Sequence, residues 1–459
     1  MAAKFVSIDH DSPLLLPPDL RDWLPDNHMV HFIMDAVNAL DLSSAQINVH
    51  GSGSAQYPPS MMLGLLIYSY STGTFSSRRI ETLTFENVAV RYLCADTHPD
   101  HDSICTFRRK NKELLSSCFH QVLELAVDTK VLKVGNITVA IDGTKILANA
   151  SKHSAMSHGH LEKQMELAEQ QIAQLLAKAE GADSAPLEDG LSIPDEIKRR
   201  EDRIAELKKA KAVIEERAKK RFEEEATEYQ EKLKKRKAKQ EATGKKPRGR
   251  KPKPPEEGPR DKDQYNFTDP ESRIMKTRGG FEQGYNAQAA VEVDTMLVVG
   301  QYVTDAPNDK QQLAPGLDSI SPGVGPVSEV LVDTGYYSEK AVLDAEGRES
   351  PPKVYAAMGR QHHGRSVEEL EKKADPPEPL KDATVPEIMK HRLETKAGKE
   401  LYGLRKQTVE PVFGIIKEVL GFRRFSMRGL ANCTSEWNLV TTSYNLKKLF
   451  NLGMRLKSC

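Results

Sequence analysis

The chain has 459 residues, with 66 Lys+Arg against 66 Asp+Glu. That length exceeds one compact core and implies roughly two or three domains. The 5 cysteines show no CxxC pair, which argues against a disulfide framework and for a reducing compartment. No apolar run reaches the roughly 18 residues that a membrane span needs.

The opening stretch "MAAKFVSIDHDSPLLLPPDL" is broken by acids and prolines and does not read as a signal peptide, so a cytoplasmic protein is expected. Residues 1–130 read as a helical N-terminal domain. "PPSMMLGLLIYSYSTG" predicts a compact apolar helix that Gly73 stops. "SSRRIETLTFENVAVRYL" follows after a short turn. "DSICTFRRKNKELLSSCFHQVLELAV" predicts a third helix, with Ile104, Phe107, Leu114, Leu115, Cys118, Val122 and Leu125 at helical spacing. Its start carries Arg108, Arg109, Lys110 and Lys112, and the second helix opens on Arg78 and Arg79. A helix-turn-helix DNA reader fits this, and so does a helical bundle with a solvated basic face. Cys94, His98, His101 and Cys105 are all possible zinc ligands, but they lack a CxxC knuckle. A loop with a helix cap at Asp102 or Ser103 is the competing reading.

Residues 131–156 include "NITVAIDGTKILAN". This is either a hairpin turning at Asp142-Gly143 or one strand that delivers Asp142 to a site. Residues 157–262 change character. Leu161, Met165, Ala168, Ile172, Leu175 and Ala179 recur at alternating intervals of four and three, and Ile197, Ile204, Leu207 and Ile214 continue after a Gly/Pro break. Two helices of a coiled-coil hairpin, or a dimer arm, are expected. Residues 232–253 then hold 12 Lys/Arg and one acid, Glu241. Within them, Arg248-Gly249-Arg250 is flanked by prolines and resembles an AT-hook, whose extended Arg-Gly-Arg slides into a narrow A·T minor groove. A disordered basic linker is the alternative. Either attracts phosphate.

From residue 263 the chain reads as globular again. "YNAQAAVEVDTMLVVGQYVT" predicts two antiparallel strands joined near Asp294-Thr295, and "DKQQLAPGLDSI" a short helix and loop. "EVLVDTGYYS" and "KVYAAMG" predict further strands, and the last 60 residues are mostly helical. Strands followed by helices suggest an α/β core, with residues 157–262 inserted into it. The strand of Asp142 and the strand near Tyr285 are then sheet neighbours.

Asp333 ends the apolar run Val330, Leu331, Val332, with Gly335 behind it and Ser338 placed to cap a helix. An aspartic protease needs two facing D-T-G loops. Here "DTG" occurs once, and "VDTM" at 293–296 lacks the glycine. "ELYGLRKQTVEPVFGIIKEVLGFRRFSMRGL" makes a late helix. Glu410 and Lys417 share a face, and Tyr402, Arg405 and Lys406 extend it. Pro411 either starts this helix or kinks a longer one. An acid beside a Tyr and cations suits phosphodiester chemistry; an ordinary surface helix with ion pairs is the bland reading. Asp142, Asp333 and Glu410 together supply hard oxygen ligands for two Mg2+ ions.

In this order the motifs resemble those of a DDE transposase of a bacterial insertion sequence, over most of the chain outside residues 157–262. "YPPSMMLGLLIYSYSTGTFSSRRIE" and "HPDHDSICTFRR" are similar to the helical N-terminal domain of that group. "IDGTKILANAS" resembles its first-Asp motif and "LVDTGYYS" its second. "YGLRKQTVEPVFGIIK" resembles the Glu signature of Tyr, two residues, Arg, three residues, Glu, six residues and Lys. Tyr402, Glu410 and Lys417 fit it. Four residues separate Arg405 from Glu410, whereas Lys406 has the three-residue gap.

The resemblance implies a ribonuclease-H-like α/β catalytic core, residues 131–156 and 263–459, joined to the helical N-terminal domain and split by the coiled-coil and basic insertion. It implies Asp142, Asp333 and Glu410 as catalytic metal ligands for two Mg2+ ions, with Mn2+ as a substitute. It places Tyr402, Lys417 and either Arg405 or Lys406 on DNA, and the AT-hook-like reading adds Arg248 and Arg250. Water first frees a 3′-hydroxyl at the transposon end, and that hydroxyl attacks target DNA by direct transesterification. The implied partner is double-stranded DNA, bound by a homodimer in a nucleoid-associated bacterial protein, with no membrane. The rival from another class is a catalytically inactive or domesticated transposase-derived DNA-binding protein.

Overall fold

The computed structural model describes residues 19–47, 55–181, 192–244, 249, 251–277, 279–359, 375–380 and 382–456. Arg248 and Arg250, the AT-hook-like pair, lie outside the described residues, as do the first 18. The chain divides into two compact units. One holds residues 1–146 and 286–459; the other holds Leu147–Tyr285.

The first unit opens with helices α1 (Met29–Asn38), α2 (Pro59–Ser71), α3 (Ser77–Glu86), α4 (Val88–Leu93), α5 (His101–Lys110) and α6 (Lys112–Asp128). Gly73, at φ 84°, follows α2 in the left-handed conformation that suits glycine. The expected second helix is two, because Asn87 breaks it and its side chain caps Val90 N–H at 3.0 Å. The expected third helix is also two. Asn111 is buried and turns its amide to Phe107 O at 2.9 Å, while its oxygen accepts from Gln46 N–H at 2.7 Å. These side-chain bonds compete with the helix ladder and interrupt it.

Strand β1 (Ile137–Leu147) runs straight through Asp142-Gly143, so the segment is one strand and not a hairpin. In the second unit lie β2 (Ala155–Ser157), α7 (His158–Gly181), α8 (Ile193–Thr243), β3 (Gln264–Asn266) and β4 (Arg273–Thr277). There β2 pairs antiparallel with β3. Helix α8 has 51 residues, so it is about 75 Å long. It packs on α7 through Leu161, Leu207, Ala210 and Ile214. Lys211 meets Glu162 across this seam at 2.9 Å. Strand β5 (Gly280–Glu292) begins in this unit, where its first half pairs with β4.

The rest of β5 belongs to the first unit, with β6 (Val298–Thr304), α9 (Leu313–Asp318), β7 (Val327–Val332), α10 (Glu339–Glu346) and β8 (Lys353–Ala356). β6 pairs antiparallel with β5, β5 neighbours β1, and β1, β7 and β8 run parallel. Val139, Ala140, Val330, Leu331 and Val332 are all 0% exposed, as strands covered on both faces must be. Helices α11 (Val385–Glu394), α12 (Lys396–Gly414) and α13 (Leu430–Asn451) follow. Helix α13 lies against α2, α6 and β6. Among the described residues, no helix is long and apolar enough to cross a membrane.

Candidate active site

Asp142 sits near the middle of β1, after the buried run Val139-Ala140-Ile141. Its Oδ1 accepts from Gly143 N–H at 2.8 Å. Burial pushes its carboxyl up from 3.8 to about 6. The charges of Asp333 and Asp309 push the same way, while the Gly143 N–H and Arg405 pull it back. Asp333 follows directly on β7, the parallel neighbour of β1, and its Oδ1 accepts from Gly335 N–H at 2.7 Å. Ser338 then caps α10 by accepting from Ala341 N–H at 3.1 Å.

Glu410 lies inside α12, because Pro411 is tolerated within this helix rather than starting it. A π-turn follows at Ile415–Val419, a relaxed turn of the kind that often accompanies an interrupted ladder. The side chain that ties Asp142 to Glu410 is Arg405, which is 9% exposed. It donates to Asp142 Oδ2 at 3.3 Å and to Glu410 Oε1 at 3.2 Å. Lys406, with the signature's spacing, is exposed instead. Tyr402 donates its hydroxyl to Val332 O at 3.1 Å, beside Asp333. Lys417 reaches back to β1 and donates to Lys145 O at 2.8 Å. Arg405 thus joins Asp142 on β1 to Glu410 on α12, Tyr402 ties α12 to the end of β7, and Lys417 ties the π-turn to β1.

Among the described residues, no three His, Cys, Asp or Glu side chains converge closely enough to hold a metal ion. The donor set still suits a hard cation. It consists of carboxylate oxygens, and the charges of Asp333 and Asp309 add to the burial that raises Asp142; a divalent ion relieves both the buried charge and the repulsion. The zinc reading fares worse. Cys94 is buried with its thiol pushed up to about 12, His98 stacks on Phe85 at 3.9 Å, and His101 pairs with Glu81 at 2.8 Å. Arg108, one of the four cations at the start of the expected third helix, is also withdrawn from any DNA face. It is 3% exposed and donates to Tyr70 at 2.7 Å, and Glu436 lies 3.7 Å away.

Five residues around the acids escaped the sequence reading: Lys145, Asn286, Gln288, Asp309 and Tyr336. Asn286 and Gln288 are 0% exposed on β5. Two amides spaced by two in the apolar stretch "YNAQAAV" point to one buried face and demand partners, and that was the available signal.

Two family models match the chain. Residues 18–110 match a transposase domain (DUF772), and residues 380–450 match a transposase DDE domain. Each match is to part of the chain, one near its start and one near its end. The resemblance to a DDE transposase of an insertion sequence therefore has support at both ends of the chain. No curated protein and no solved structure matches it. The transposase DDE match spans α11, α12 and nearly all of α13, and so contains Tyr402, Arg405, Lys406, Glu410 and Lys417. The other match runs from before α1 through α5. A transposase acts on DNA and therefore binds it.

Proposed function

We propose that this transposase cleaves DNA at transposon ends and joins the freed 3′-hydroxyl to target DNA by direct transesterification. The observation that carries this reading is Arg405, which joins Asp142 on β1 to Glu410 on α12 next to the end of the Asp333 strand. Acids from three elements grouped beside the end of β7 are what phosphodiester chemistry asks for, and a surface helix with local ion pairs does not need them.

The mixed sheet supports a ribonuclease-H-like core. Its central strand bears Asp142, and the parallel neighbour releases Asp333 at its C-terminal end, where open α/β sheets hold their ligands. Asp142, Asp333 and Glu410 are the residues that would hold divalent ions, Mg2+ or Mn2+. Bound there, such ions activate a water or hydroxyl and stabilise the leaving oxygen. Arg405 and Lys417 carry fixed positive charge at the same site, suited to a backbone phosphate. Tyr402 fixes the end of the Asp333 strand through Val332 O. Lys406 contacts DNA outside the acids in this reading, which its exposure on α12 supports. The Arg248-Gly249-Arg250 stretch adds a minor-groove contact, and the α7–α8 arm joins two protomers on paired ends. The setting is the bacterial nucleoid.

The test is cleavage of a supercoiled plasmid carrying the element's own ends, with Asp333→Asn beside wild type. Mg2+-dependent nicking by wild type alone, with DNA binding kept in both, is the expected result. Equal cutting by both removes Asp333 from the site. Binding without cutting by either selects a DNA-binding remnant.

A further inference from the structure

Asn286 and Gln288 share one buried face of β5, and both donate to a single atom. Asn286 Nδ2 and Gln288 Nε2 each lie 2.7 Å from Asp309 Oδ1. Asn286 Nδ2 also donates to Ala306 O at 3.2 Å, and Gln288 Oε1 takes the Tyr336 hydroxyl. Buried amides are costly without partners, so this arrangement is a built cradle for one carboxylate. Gly143 makes the room for it. A Cβ there would lie 2.1 Å from Gln288 Nε2 and 2.8 Å from Asp309 Oδ1. Asp309 thus stands against the residue that follows Asp142.

The cradle faces Lys145. The Lys145 ammonium is buried and has no hydrogen-bond partner among the described residues. It forms an ion pair with Asp309 Oδ1 at 3.7 Å. It also feels the charges of Asp142 and Asp333. An ammonium tethered among carboxylates competes with any divalent cation for the same oxygens.

We propose that Asp309 is a positioning residue that holds the Lys145 ammonium off Asp142 and Asp333, leaving those two carboxylates open to a divalent cation. The proposal rests on the reading of these acids as metal ligands. Asp309 acts through Lys145.

Mn2+ binding to the full chain, read from the electron-spin resonance of free Mn2+, tests this, with thermal melts confirming the fold. Asp309→Asn keeps an acceptor oxygen for Asn286 and Gln288 but drops the charge. It is expected to weaken Mn2+ binding about tenfold. Lys145→Met in the same chain removes the competing ammonium and restores binding to within about twofold of wild type. Lys145→Met alone leaves the cradle intact and is expected to tighten Mn2+ binding. A purely structural role for Asp309 predicts no rescue. Wild-type Mn2+ affinity in Asp309→Asn, no rescue in the double variant, or weaker binding in Lys145→Met overturns the proposal. Asp333→Asn separates the two readings: if it binds Mn2+ as wild type does, the acids are not the metal ligands and both readings fall.

Discussion

At the scale of single residues, charge and burial decide most of what this molecule does. Asp142 has a carboxyl raised by burial from 3.8 to about 6. A raised carboxylate costs nothing below its ordinary value and costs stability fully above the folded value. Asp142→Asn, which mimics the protonated form, should therefore be more stable than wild type by about 1–3 kcal/mol at pH 8 in EDTA. The advantage should shrink as pH falls from about 6 toward 4, and urea melts across that range check it. Arg108 presents the opposite case. Its pair with Glu436, which is 0% exposed, is sealed by Tyr70 and by Ser426 and Met427 N–H groups at 2.9 and 3.2 Å. Arg108→Ala strands that charge and should cost about 3–5 kcal/mol in chemical denaturation. Exposed Arg109→Ala should stay within about 0.5 kcal/mol of wild type. In the sequence, Arg108 and Arg109 read alike, because helical spacing says which residues share a face and not which face is covered.

At the scale of elements, the strands were the most legible part. Short apolar runs bounded by Gly, Asp and Thr marked β5, β6, β7 and β8, and an acid behind such a run marked Asp333. Helix α13 was legible only as a helix. Its buried residues include Ser435, Glu436, Asn438, Thr441, Thr442, Ser443 and Asn445, a polar set that gives no amphipathic stripe. Two of them have partners on other elements: Glu436 accepts from the Tyr70 hydroxyl of α2 at 3.1 Å, and Asn445 meets β6. Asn445 exchanges hydrogen bonds with Val298 N and O at 2.9 and 2.8 Å, and Lys447 donates to Ser71 O at 2.8 Å. Partners so remote in sequence leave no local trace. Asp309 was missed for the same reason, since its meaning comes from β5. On β1, the close approach at Gly143 makes a firm test. Gly143→Ala must displace Gln288 Nε2 from 2.1 Å and Asp309 Oδ1 from 2.8 Å. The expected cost is about 1–3 kcal/mol by calorimetry, together with loss of cleavage.

At the scale of the whole molecule, the second unit is joined to its long arm by a simple device. β2 and β3 pair antiparallel, with Ser157 opposite Gln264. The arm of α7 and α8 thus leaves and returns through two strand ends already side by side. Replacing residues 158–263 by Asn-Gly should close β2 and β3 as a two-residue hairpin. The shortened chain should fold with one cooperative melt. Gel filtration and gel-shift assays of it then report whether the arm carries dimerisation or DNA affinity. An unfolded product would show that the arm supports the strands it grows from.

The embrace of α13 by α2 and α6 also sets a timetable. Helix α2 is buried along Met62–Ser71 and carries no polar face of its own. Its cover, α13, begins at Leu430, so synthesis at roughly 5–20 residues per second separates the two by tens of seconds. During that interval a helix whose residues Met62–Ser71 are all destined for burial waits on the ribosome for its partner. Holdase chaperones have a natural client here, and the buried face of α2 is covered only after translation has passed the late helices.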